Sequence, residues 1–193
     1  MAERQVFRVS GADSYKFLND LVTNDLARLS DGLVYAALLT PQGKYLFDFF
    51  LAADGDDILL DVAAERAAAL AQRLTMYKLR ADVTIEATGL HVHRGLGTAP
   101  TGAMGDPRHT ALGWRMYKDT PQTDDMVDWN AVYVAHCVPQ TGVELIADGS
   151  YILECGFERL NGVDFRKGCY VGQEVTARMK HKTELRKGLV TVG

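Results

Sequence analysis

The sequence is short of cysteine, of metal-binding histidine patterns and of long apolar runs, and each shortage excludes something. Of 193 residues only three are cysteines, Cys137, Cys155 and Cys169, and no two stand in a CxxC pair. An odd count without paired spacing argues against a disulfide framework or a complete zinc site and for a reducing compartment. No apolar run approaches the roughly 20 residues of a spanning helix, and Met1-Ala-Glu-Arg-Gln-Val6 turns polar at once, so neither a membrane span nor a signal peptide is expected. The expected location is therefore cytoplasmic. The histidines form no HxxxH or HExxH pattern, and there is no Walker loop, GxGxxG or GxSxG. Nucleotide hydrolysis, dinucleotide redox and α/β-hydrolase chemistry lack support. His91 and His93 are expected on one face of a strand, where such a pair can hold a metal but is more often a half-exposed edge pair. No fixed repeat and no heptad run is found.

What is present is an ordinary folded composition: 47% hydrophobic, 24% charged, mean hydropathy -0.09. A chain of this length buries roughly 70% of its unfolded surface, enough for a core without metal or disulfide. The net charge of -4 excludes a uniformly basic coat protein. Charge is nevertheless uneven. Residues 166–187 carry seven Lys and Arg against Glu174 and Glu184, a net +5, which leaves -9 on the remainder. An anionic partner near this segment is expected.

Ser10-Gly-Ala-Asp13 has capping-box spacing, with Tyr15, Leu18, Leu21 and Val22 following at helical intervals, so a helix is expected over 12–21. Residues 34–39 and 45–52 read as strands of a hairpin whose turn is Thr40-Pro-Gln-Gly43. A strand over 58–62, an Ala-rich amphipathic helix over 63–77 and strands over 83–87 and 91–96 follow. A loop over 97–105, a short strand over 113–117 and a helix over 125–137 complete the pattern, and 188–193 looks strand-like. Helices and strands do not alternate as βα units, so the expectation is an α+β protein with antiparallel sheets.

The densest chemical signal is Lys167-Gly-Cys-Tyr-Val-Gly-Gln-Glu-Val-Thr-Ala-Arg178. Its glycines permit tight turns or a close approach, and the cations Arg166 and Lys167 beside Cys169 favour a nucleophilic thiolate. A free cysteine is also a common core residue, and that alternative stands for Cys169 and more strongly for Cys137 and Cys155.

This segment resembles the signature of the YgfZ-type folate-binding proteins, relatives of the glycine-cleavage T-protein (aminomethyltransferase) and of a mitochondrial iron–sulfur assembly factor. Further blocks match in order over nearly the whole chain: Phe17 to Leu26, Leu39 to Asp48, Tyr77-Lys-Leu-Arg80, Asp106-Pro-Arg108 with Leu112-Gly-Trp114, and Leu160 to Phe165. The resemblance implies a T-protein-type α+β folate-binding fold with ferredoxin-like subdomains, one of about 1–44 with 115–193 and one of about 45–114. It also implies a C-terminal β-barrel, of which this chain lacks the strands, as a shortened or naturally short member would.

For the site, the resemblance implies Cys169 and Lys167 as the active pair and tetrahydrofolate as cofactor. Glu154, in Leu153-Glu-Cys-Gly156, resembles the carboxylate that recognises the pterin, since it can accept two parallel N–H bonds. Asn24, Asp25, Tyr170, Gln173, Glu174 and Arg178 are the other candidate cofactor contacts, each with a plain alternative as a turn, a packing or a surface residue. The function implied is a folate-binding accessory protein supporting iron–sulfur assembly or repair in client enzymes, tRNA-modifying ones included. A folate-dependent aminomethyltransferase and an RNA- or protein-binding module without folate are the alternatives. Partners implied are folate, iron–sulfur client or assembly proteins and tRNA weakly through 166–187, with no membrane.

Overall fold

The computed structural model describes residues 3–123, 126–182, 185 and 187–191. Five strands, β1 (Arg4–Ser10), β2 (Val34–Leu39), β3 (Tyr45–Asp54), β4 (Asp57–Ala63) and β5 (Thr84–Ala87), form one antiparallel sheet in the order β2-β3-β4-β1-β5. β2 and β3, on either side of residue 44, form one hairpin. A smaller sheet orders β6 (His91–Gly95), β8 (Trp114–Lys118) and β7 (Met104–Gly105), with β8 central. Four helices, α1 (Ser14–Leu21), α2 (Ala64–Lys78), α3 (Trp129–Ala135) and α4 (Gln173–Lys182), complete the described architecture. It is mixed α+β with antiparallel sheets, and no closed barrel occurs among the described residues.

The large sheet explains why β2, β3 and β4 are apolar without alternation: both of its faces are covered. Successive side chains point to opposite faces, so each strand feeds two cores. Ala36, Leu38, Phe49, Leu51, Leu60 and Val62 pack with Phe17, Leu18 and Leu21 of α1 and Ala67, Leu70 and Leu74 of α2. Tyr35, Ala37, Phe50, Ala52 and Leu59 pack instead with Leu145, Ile152, Leu153, Phe157 and Leu160 from the C-terminal third.

Several elements depart from the sequence pattern. β1 was not expected, because Arg4, Gln5 and Arg8 make it read as polar. Its Arg4 and Arg8 are instead neutralised by Asp61 and by Asp54 with Asp57, while Val6 serves one core and Phe7 and Val9 the other. The capping box is not used as such. Asp13 stands at the helix entry, but its carboxylate accepts the Asp82 amide at 2.8 Å. The helix over 125–137 is shortened to Trp129–Ala135, started by the Asp128 side chain accepting from Ala131 N–H, and Asp125 lies outside the described residues. Residues 188–191 form no strand, and 192–193 lie outside the described residues. α4 appears where only a loop motif was read.

Candidate functional site

The motif loop is held by three attachments. Lys167 is buried, and its Nζ donates to three main-chain carbonyls at the end of α1 and in the loop beyond, Asn19 at 2.5 Å, Val22 at 2.7 Å and Asn24 at 3.1 Å. An ammonium has three N–H bonds, and here each finds an acceptor. Burial pulls its pKa down to about 8, opposed by Asp25, Asp20 and Asp164. The second attachment is a contact between backbones: the hairpin turn at 40–43 lies against Gly172. A Cβ on Gly172, whose φ is +81°, would stand 2.5 Å from the Thr40 carbonyl oxygen, and one on Gly43 (φ +75°) would stand 2.9 Å from the Cβ of Val175. Glycine is thus required at both positions. Third, Gln173 reaches back to the Gly168 carbonyl at 3.3 Å.

Between these attachments Gly168 and Cys169 face outward. Cys169 is exposed, and a Cβ on Gly168 would meet nothing within 4 Å. Cys155 is buried against the Glu144 carbonyl, with its thiol pushed up by burial, and Cys137 is half-buried with its sulfur 3.0 Å from the Thr191 hydroxyl. Only one thiol is displayed.

The other candidates from sequence disperse. Asn24 is buried, and its amide donates to the carbonyls of Tyr35 at 2.8 Å and Asn161 at 2.6 Å, so it holds the loop that receives Lys167. Asp25 accepts from the Ala27 amide and starts a short 3₁₀ turn at Leu26–Ser30. Tyr170 is buried in the second core, its hydroxyl pushed up to about 12 by burial. Glu174 and Arg178 form an exposed i,i+4 ion pair on α4. Glu154 is half-buried and makes no hydrogen bond or ion pair among the described residues. His91 is exposed, while His93 Nε2 lies 2.6 Å from the Thr120 carbonyl oxygen. Among the described residues no group of three or more His, Cys, Asp or Glu is placed to hold a metal ion.

A second polar concentration went unread in the sequence. Asp48, buried on β3, accepts from the hydroxyls of Tyr35 at 3.0 Å, Tyr45 at 2.7 Å and Thr141 at 2.7 Å. Burial and this carboxylate hold both tyrosines well above their ordinary pKa. Alongside, Asp61 accepts from Arg4 at 2.6 Å and Arg115 at 2.7 Å, and Asp106 takes Arg108 through two bonds of 3.0 and 2.7 Å. Of these groups Asp48, Thr141, Arg4, Arg108 and Arg115 line a cavity together with Trp129 and Tyr133 of α3. The available signal was a lone carboxylate inside each of two apolar strands, which implies a buried partner.

No family model matches the chain. The mitochondrial iron–sulfur cluster assembly factor IBA57 of Mus musculus is 32% identical over 228 residues, covering 98% of this chain and 64% of that protein. Its human counterpart is 30% identical with the same coverages, and the homologue in Mycosarcoma maydis is 32% identical, covering 97% of this chain and 54% of its own length. The chain therefore spans less than two thirds of the curated relatives it matches. A solved structure, the glycine cleavage system aminomethyltransferase T of Bartonella henselae, is 20% identical with a TM-score of 0.43 over 47% of this chain and 26% of that one. The cytoplasmic expectation is overturned, because these relatives are named as mitochondrial. Unpaired cysteines report the redox state of a compartment and not which reducing compartment it is.

Proposed function

Since the chain is a homologue of the mitochondrial iron–sulfur assembly factors, we propose that it serves the assembly or repair of iron–sulfur clusters in client enzymes, tRNA-modifying enzymes among them, with Cys169 as its working thiol. The observation that carries this is the contrast among cysteines: Cys169 alone is exposed, on a loop anchored by Lys167 below and Gly172 behind. A cluster is the cargo here. One thiolate supplies one of the four ligands of a usual cluster, so the others come from a partner protein. The open space at Gly168 leaves room for that partner's backbone, and the basic end of α4, Lys180, His181 and Lys182, offers a surface to an anionic partner such as tRNA.

Tetrahydrofolate is the proposed cofactor. Glu154 fits it: a half-buried carboxylate without a hydrogen bond among the described residues has both oxygens available for the paired N–H edge of a pterin. Asn24 and Tyr170 are spent on the loop and the core, so their role is support. When bound, the folate supplies a one-carbon carrier. Lys167 holds the Cys169 loop in place, and Glu154 orients the ring.

The test is complementation. In cells lacking their own copy, Cys169→Ser should leave the protein folded and still folate-binding but abolish activity of an iron–sulfur client. Normal client activity would reject the thiol. Glu154→Gln should weaken tetrahydrofolate by about 1.5–3 kcal/mol in calorimetry, the worth of a charge-assisted bond. Unchanged affinity would remove Glu154 from the site.

A further inference from the structure

Just ahead of the motif loop, residues 161–164 are bonded to the segment 23–28 that follows α1. Thr23 Oγ1 donates to the Gly162 carbonyl at 2.7 Å, Asn24 Nδ2 to the Asn161 carbonyl at 2.6 Å, and the Asp164 amide to the Thr23 carbonyl at 3.0 Å. Both of these side chains are buried. The row ends in an ion pair, in which Arg28 Nη2 donates to Asp164 Oδ2 at 2.8 Å. Neither Arg28 nor Asp164 stood out in the sequence.

Asp164 uses its two oxygens for different tasks. While Oδ2 faces Arg28, Oδ1 accepts the Arg166 amide at 2.7 Å, the two-residue reach by which an aspartate closes a turn on its own backbone. The carboxylate thus joins the 3₁₀ turn at Leu26–Ser30 to the first residues of the motif. Its side chain is only 12% exposed. Burial by itself would raise its pKa, yet the amides of Arg166 and Lys167 and the Arg28 guanidinium hold it below the ordinary carboxylate range. From Arg166 the chain runs through buried Lys167 to exposed Cys169, so fixing the Arg166 amide fixes the direction from which the thiol is displayed.

We propose that Asp164 is a positioning residue for the Cys169 thiol, acting with Arg28 as a clamp on the entry to the motif loop. The inference rests on the reading of Cys169 as the working thiol and names what sets its place. Asp164 bonds the Arg166 amide and the Arg28 guanidinium, and it acts on the sulfur only through the chain between them. Lys167 anchors the loop from below, and the clamp sets its bearing. Two attachments at different points leave a loop far less freedom than one, which is what a thiol handing cargo to a partner requires.

A nitroxide attached to Cys169 reads the clamp directly by electron paramagnetic resonance. In a Cys137→Ser background Cys169 is the accessible thiol, since Cys155 is buried. Asp164→Ala, which loses both bonds, should shorten the rotational correlation time of the label about threefold or more, as a fixed loop becomes one moving on its own. Asp164→Asn keeps an oxygen for the Arg166 amide but not the charge that Arg28 pairs with, so it should recover part of the restriction. Arg28→Gln should match Asp164→Asn. Denaturant unfolding of the same variants establishes that each spectrum is read on folded protein. A role in stability alone would lower the unfolding midpoint and leave the label in the folded state unmoved, and that result in Asp164→Ala overturns the proposal. If Asp164→Ala does not fold, Arg28→Gln decides, because the Arg28 side chain is 52% exposed, and an unchanged spectrum there overturns the proposal equally. The readout needs no cluster, client or folate, so it fails separately from complementation by Cys169→Ser.

Discussion

The motif loop and the arginine cavity both gather charge, and they use it in opposite ways. In the loop, Lys167 is satisfied by neutral main-chain carbonyls, and the thiol of Cys169 two residues on is left outside. In the cavity, charge meets charge, with Asp61 wholly buried between Arg4 and Arg115. The loop depends on shape, so its sensitivity should lie where backbones touch. The cavity depends on compensation, so its sensitivity should lie where a partner is removed. Four perturbations break or sharpen this comparison.

The largest effect is expected from Asp61→Ala. Removing one member of a buried ion pair leaves the others uncompensated and costs about 3–5 kcal/mol. Denaturant unfolding should show this loss, and a cost under about 1 kcal/mol would mean that the arginines do not need the carboxylate. Next is Gly172→Ala, whose Cβ at 2.5 Å from the Thr40 oxygen and positive φ must displace the hairpin turn. About 2–3 kcal/mol is expected from overpacking and backbone strain. The same measurement checks it, and a neutral result would separate the hairpin from the motif loop.

Lys167 gives a pH signature of at most about 3 kcal/mol. Its folded pKa of about 8 lies below the ordinary 10.5, so between these values the unfolded chain binds more protons than the folded one. Stability contributed by this group therefore rises as pH goes from about 8 to 10.5 and is lost as pH falls back through 8. The difference in stability between wild type and Lys167→Met should carry this slope, and a flat difference would show that the three carbonyls fully offset burial. The smallest effect is expected at Gly168→Ala, below about 0.5 kcal/mol, because the new methyl meets nothing. If that variant unfolds easily, the outward face of the loop is packed after all. If it is stable yet fails to support a client, the open space is used by a partner.

Much of the frame was legible. The hairpin of β2 and β3, the strand β4 and the amphipathic helix α2 follow from apolar runs and a Pro-Gly turn, because local pattern and tertiary burial agree there. β1 was hidden because Arg4 and Arg8 look like surface residues until Asp61, Asp54 and Asp57 stand opposite them. The motif around Cys169 was legible as a concentration of residue types and not as structure. Its two glycines looked equivalent, and only Gly172 is packed. That Asn24 is buried with its amide bonded to two carbonyls and Tyr170 packed in the second core was not legible, since a polar or aromatic residue near a turn carries no mark of which way it points.

By itself the sequence determined the α+β class, the hairpin, the long helix and the motif with its single distinctive thiol, because periodicity, turn chemistry and residue type are local properties. Tertiary structure alone decided that Cys169 is outside while Cys155 is inside, that Lys167 ties residues about 145 positions apart, and that Asp61 of β4 meets Arg4 and Arg115 from elements far apart in the chain. Burial and charge compensation are sums over neighbours brought from everywhere in the chain, and no local pattern contains them.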